Sequence, residues 1–121
     1  MEFKISSDFD YECVPESLLC TYDFNTDDIL AYLDENKRDI EKLTEHVYLV
    51  FIRDDVAFTF TVNDNKEIVT MNELTGSPKS HCFSDGLLLI VDDAYCSYYN
   101  RATLYRVTSD DVVQLMSIDG E

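Results

Sequence analysis

Three pairs of adjacent aspartates, Asp54-Asp55, Asp92-Asp93 and Asp110-Asp111, end or interrupt the apolar runs "LVFIRDD", "LLLIVDDAY" and "VTSDDVVQL". Neighbouring carboxylates can bind a metal, exchange protons, shape a turn or build a charged face. A metal is disfavoured, because successive side chains of a strand point to opposite faces and each pair therefore offers one carboxylate. No His or Cys adjoins any of the three pairs. The alternating acids Asp8, Asp10 and Glu12 begin like a calcium loop, but Cys13 and Leu19 stand where such a loop needs Gly and Glu. Zinc lacks a Cys-x-x-Cys pair among Cys13, Cys20, Cys82 and Cys96, and the neighbours His81 and Cys82 are badly placed to share an ion. Neither a metal nor another cofactor is expected.

Catalysis has little more to work with. A Cys–His nucleophile would draw on "SPKSHCFSDG", the longest break between strand patterns, but only its length marks it. Gly76, Gly86 and Gly120 are the only glycines, so neither glycine-rich phosphate cradle is present. The chain is expected not to be an enzyme. Direct nucleic-acid binding is excluded by charge: 25 acids face nine bases, for a net charge of −16. Such a chain repels nucleic acid and anionic membrane and attracts basic surfaces.

The elements that must position these carboxylates fit one domain over 1–121, with a lead-in over 1–24, a helix over 26–43 and an antiparallel sheet over 46–118. A hydrophobic content of 45% with seven Phe and eight Tyr argues against disorder despite the charge. The longest aliphatic run, "LLLIV", is far short of the roughly 20 residues of a membrane span. No basic segment leads into an apolar one near the start, and the cysteines form no framework, so a cytoplasmic protein with reduced thiols is expected. A Cys13–Cys20 disulfide is the alternative.

Asn25 or Thr26 can cap the helix, with Asp27 and Asp28 in its first turn, where carboxylates meet the positive end of the backbone dipole. Ile29, Leu30, Leu33, Ile40 and Leu43 supply an apolar stripe. From His46 onward seven segments rich in β-branched and aromatic residues read as strands: "HVYLVFIR", "VAFTFTVN", "EIVTMNE", "GLLLIV", "AYCSYY", "ATLYRVT" and "VVQLMSI". Alternation in "VAFTFTVN" predicts burial on one face, while "LLLIV" predicts burial on both. A faint echo between 49–55 and 87–93 fits either a duplicated three-strand unit or the common grammar of hairpins. The expected fold is α+β: one N-terminal amphipathic helix packed on a mainly antiparallel sheet of six to eight strands, as a meander or as two three-stranded units.

In a meander alternate turns share an end of the sheet. Counting turns places Asp64, Asp92, Asp93, Asp110 and Asp111 at one end as a negative rim, with neighbouring turns about 10 Å apart. Asp8, Asp10 and Glu12, and the helix residues Asp34 and Glu41, supply further acidic patches. The opposite end receives Asp54, Asp55, Asp85 and Asp119, diluted by Lys79 and Arg101. The plain alternative is that the aspartates are soluble turn residues.

A folded chain of this mass exposes roughly 6,700 Å², about one net charge per 420 Å². Duplex DNA carries about one per 110 Å². Imitation of DNA therefore requires the acids to be gathered on one side. In size and charge, though through no motif, the chain resembles the small acidic proteins with which phages and mobile elements block nucleic-acid-binding enzymes: anti-restriction, anti-CRISPR and other DNA-mimic proteins. Nuclease-toxin immunity proteins are similar. The resemblance implies a phage- or mobile-element-encoded inhibitor acting in the host cytoplasm. Its partner would be a basic nucleic-acid-binding protein such as a defence nuclease, with Phe9, Tyr11, Tyr98 or Tyr99 as aromatic anchors. A non-catalytic adaptor whose acidity serves solubility is the remaining alternative.

Overall fold

A computed structural model describes residues 3–19, 26–93 and 100–120. The chain runs β1 (Lys4–Ile5), a 3-10 turn (Tyr11–Cys13), α1 (Glu16–Leu19), α2 (Thr26–Glu35) and a second 3-10 turn (Lys37–Asp39). It continues through β2 (Ile40–Lys42), β3 (Val47–Ile52), β4 (Val56–Val62), β5 (Glu67–Thr75), β6 (Pro78–Ser84), β7 (Leu87–Asp93), β8 (Asn100–Val107) and β9 (Val112–Gly120). The α+β expectation of one N-terminal helix on a single sheet is overturned. The protein is mostly β, at 56% strand, and its strands form two sheets ordered β1-β5-β4-β3-β2 and β6-β7-β8-β9. Among the described residues the one helix longer than a turn or so, α2, comes after β1, a 3-10 turn and α1.

The molecule is layered. On one face of the five-stranded sheet, Phe9, Val14, Leu18, Ile29 and Leu33 of the helical segments pack on Val50, Val56, Phe58, Phe60, Val62 and Ile68. On its other face Val47, Leu49 and Ala57 meet Leu88, Ile90, Tyr105 and Val107 of the four-stranded sheet. Strand β4 is therefore buried on both faces, not one, and even Thr59 is 1% exposed. The reverse holds for "LLLIV": β7 alternates buried and half-buried residues, because none of the described residues covers its outward side.

Helix α2 ends at Glu35, eight residues before the expected Leu43. Between Leu33 and Ile40 the sequence "DENKRD" offers no apolar residue to continue the stripe. Asn36 instead terminates the helix, its side-chain Nδ2 donating to the Tyr32 carbonyl at 2.9 Å. Ile40, Glu41 and Lys42 then pair with Val50, Leu49 and Tyr48 as an edge strand.

The segment 77–86 is not a loop. Pro78–Ser84 forms β6, joined to β7 by Asp85-Gly86, both at positive φ (53° and 79°), the conformation of a two-residue hairpin turn. The expected strand "AYCSYY" lies at 94–99, outside the described residues.

Candidate functional site

The doublets have different fates. Asp54 and Asp55 occupy a three-residue turn between β3 and β4, with Asp54 at φ 66°. Asp110 and Asp111 occupy the β8–β9 turn. Asp92 and Asp93 are not turn residues at all; they are the last two residues of β7.

The expected five-residue rim is split between the two ends of the strands. At one end His46 bridges Asp64 and Asp110, its Nε2 2.8 Å from one carboxylate and its Nδ1 2.7 Å from the other. Both ring nitrogens face carboxylate oxygens, which favours the doubly protonated ring, and the two hydrogen bonds push the His46 pKa up. Thr44 Oγ1 donates to the Thr108 carbonyl at 2.9 Å, so this contact and the His46–Asp110 one tie the two sheets together at this end. Asp111 is exposed and accepts from the Val112 backbone N–H at 2.8 Å.

Asp92 and Asp93 lie at the other end. Insertion of β6 adds one reversal of direction, which moves the end of β7 to the side of the β3–β4 turn, and the Asp54 N–H donates to the Pro78 carbonyl at 2.8 Å. Lys79 bridges Asp54 and Asp93, with 3.1 Å to the latter. The hydrogen bonds to Asp54 and Asp93 push the Lys79 pKa up, and Lys79 in turn holds Asp54 below the usual carboxylate range. Asp92 faces inward, is 2% exposed and meets Arg101 at 3.2 Å, so it cannot touch a partner. This end is salt-bridged rather than uniformly negative.

The helical layer gathers the charge that the rim was expected to hold. Residues 1–35 carry ten of the 25 acids and one of the nine bases. Among the described residues Asp8, Asp10, Glu12, Glu16, Asp34 and Glu35 are all exposed and make no ion pair. Their elements lie together because Phe9, Val14, Leu18, Ile29 and Leu33 share one core over the five-stranded sheet. Asp10 also caps the first 3-10 turn, accepting from Glu12 N at 2.9 Å. Glu16 and Glu35 were missed by sequence reasoning, although the imbalance of ten acids to one base was countable. Glu41 lies apart, exposed on β2, with its carboxylate 3.8 Å from His81.

Comparison with protein-family models, with curated proteins and with solved structures found no match to this chain.

Of the other expected site residues, His81 and Cys82 occupy successive positions of β6 and so point to opposite faces. His81 packs inward with its ring 4.3 Å from that of Phe51, beside a cleft of about 370 Å³ lined by Arg38, Glu41 and Leu49, while Cys82 is exposed. The Cys13 thiol is free, donates to the Asp10 carbonyl at 2.8 Å and has its pKa pushed up by burial; Cys20 and Cys96 lie outside the described residues. Among the described residues no three His, Cys, Asp or Glu side chains come together as a metal site. Of the expected aromatic anchors, Phe9 is a core residue at 7% exposure, whereas Tyr11 is 41% exposed with its ring edge-on to Phe9. Tyr98 and Tyr99 are outside the described residues. Among those residues no helix is long and apolar enough to cross a membrane.

Proposed function

We propose that this chain is a small acidic inhibitor that binds a basic nucleic-acid-binding enzyme through its helical layer and blocks the groove that otherwise holds phosphates. The observation that carries this reading is the group of exposed, unpaired acids Asp8, Asp10, Glu12, Glu16, Asp34 and Glu35 on one layer. Taken in proportion to its length, the 1–35 segment bears about one net charge per 230 Å², within about twofold of duplex DNA. The whole molecule, with 7217 Å² of surface and a net charge of −16, is about fourfold more dilute than DNA.

Carboxylates on this layer replace phosphates against lysines and arginines of the target, and long-range attraction speeds the encounter. Tyr11, exposed beside Asp10 and Glu12, supplies an aromatic contact at the same place. The target class is a nuclease with a basic cleft, of the kind that serves host defence or acts as a toxin, met in a reducing cytoplasm that suits the free thiols of Cys13 and Cys82.

The test is an affinity capture from bacterial lysate at low and moderate salt, followed by competition with duplex DNA. Capture of a basic nucleic-acid-binding protein that both salt and DNA release supports the reading. Captured proteins that resist both would contradict it.

A further inference from the structure

The outward face of the four-stranded sheet is apolar, and none of the described residues covers it. Leu89, Leu104 and Met116 lie side by side across β7, β8 and β9, and Val91, Ala102 and Ile118 form the next row. Met116 is 50% and Ile118 58% exposed. In a chain with 25 acids, the outward positions of these strands hold a single acid, Asp93, which Lys79 already bridges at 3.1 Å, and a single base, Arg106. Strand β7 also carries the unbroken apolar run typical of a strand covered on both sides, although the described residues cover only one.

We propose that a second copy of this chain covers this face, the two sheets packing face to face about a two-fold axis. The few charges on the face do not oppose that arrangement. Arg106 stands beside Leu87 at one end of the sheet and Asp93 beside Asn100 at the other. A two-fold axis that reverses strand direction carries the Arg106 end of each copy over the Asp93 end of the other, so each Arg106 is kept away from its counterpart and lies beside the salt-bridged Asp93–Lys79 pair. The acidic helical layer lies on the far side of both sheets, about 20 Å away and beyond the roughly 8 Å screening length, so it opposes the contact only weakly.

Face-to-face packing is favoured over edge pairing of β9. The register shift between Leu104 and Tyr105 leaves Leu115 as an extra residue in β9, and such a bulge interrupts the ladder that an incoming strand would extend. Four strands about 4.8 Å apart and about seven residues long present about 450 Å² per copy. With side-chain relief a pair reaches the roughly 1,000 Å² at which specific interfaces begin, which fits a reversible dimer.

Sedimentation velocity of the full chain, from micromolar to millimolar concentration, tests this. The expected result is a concentration-dependent shift from the 14.0 kDa monomer to twice that mass. The shift should strengthen with added salt, which screens the self-repulsion of a chain at −16 while leaving the apolar contact intact. Ile118→Glu and Leu104→Glu each place a carboxylate on the face and should weaken the dimer by about tenfold or more without changing thermal unfolding of the monomer. Leu104 sits away from the sheet edge, so its effect separates face packing from edge pairing, and the already exposed Ile118 gives a variant that folds. A chain that stays monomeric at every concentration, or a dimer that both variants retain, would overturn the proposal.

Discussion

His46 sits between two exposed carboxylates on turns of different sheets, and its two contacts at 2.7 and 2.8 Å are best made by an imidazolium. A histidine whose folded pKa is raised above its unfolded value stabilises the fold fully below the unfolded value, about 6.5, and loses that contribution as pH rises through the folded value. Wild type should therefore lose thermal stability relative to His46→Ala as pH rises from below 6.5 through the folded pKa, which an NMR titration of the ring would locate. Parallel pH dependence in the two proteins would show that the bridge does not contribute. Asp92 makes a different residue-scale prediction. It is 2% exposed against Arg101, whose side chain is 34% exposed and can rehydrate when the partner is removed. Asp92→Ala should cost about 1–3 kcal/mol in urea unfolding, less than breaking a fully buried pair, whereas Asp93→Ala, whose carboxylate is 20% exposed and not 2%, should cost under about 1 kcal/mol.

The legibility of the fold varied element by element. Strands β3, β4, β5, β7, β8 and β9 were readable because their β-branched and aromatic residues announce themselves. Strand β6 was hidden because its inward positions include His81, a polar residue that finds cover only against Phe51, and its outward ones are Ser80, Cys82 and Ser84. The signal that could have exposed it was Asp85-Gly86 directly before "LLLIV", a strong two-residue hairpin mark. Missing that strand put Asp92 and Asp93 at the wrong end. The early stop of α2 was legible only in part: the gap in its apolar stripe lay in the sequence, but the pairing of Ile40–Lys42 with β3 is a tertiary effect. Gly86 is at φ 79°, and an added Cβ would come within 3.3 Å of the Val107 carbonyl oxygen. Gly86→Ala should lower stability by about 1 kcal/mol or more, seen as a lower unfolding midpoint, whereas an unchanged midpoint would mean the turn relaxes freely.

At the scale of the molecule three kinds of surface are kept apart. The helical layer carries exposed acids without ion pairs, the strand ends mix acids with His46, Lys79 and Arg101, and the far sheet face is apolar. Which carboxylates would be gathered could not be read from turn counting, because it depended on which layer each element joined. The excess of acids over residues 1–35 was nevertheless present in the sequence. The proposed activity rests on that layer rather than on the strand ends, and a pair of charge-neutralised variants separates them. One carries Asp8→Asn, Glu12→Gln, Glu16→Gln, Asp34→Asn and Glu35→Gln, and the other Asp55→Asn, Asp85→Asn and Asp111→Asn. Each is measured for its ability to displace duplex DNA from a captured basic nuclease. The layer variant should lose displacement by about tenfold or more, while the strand-end variant stays within about threefold of wild type. Equal potency of the layer variant and wild type would contradict the assignment of binding to the helical layer.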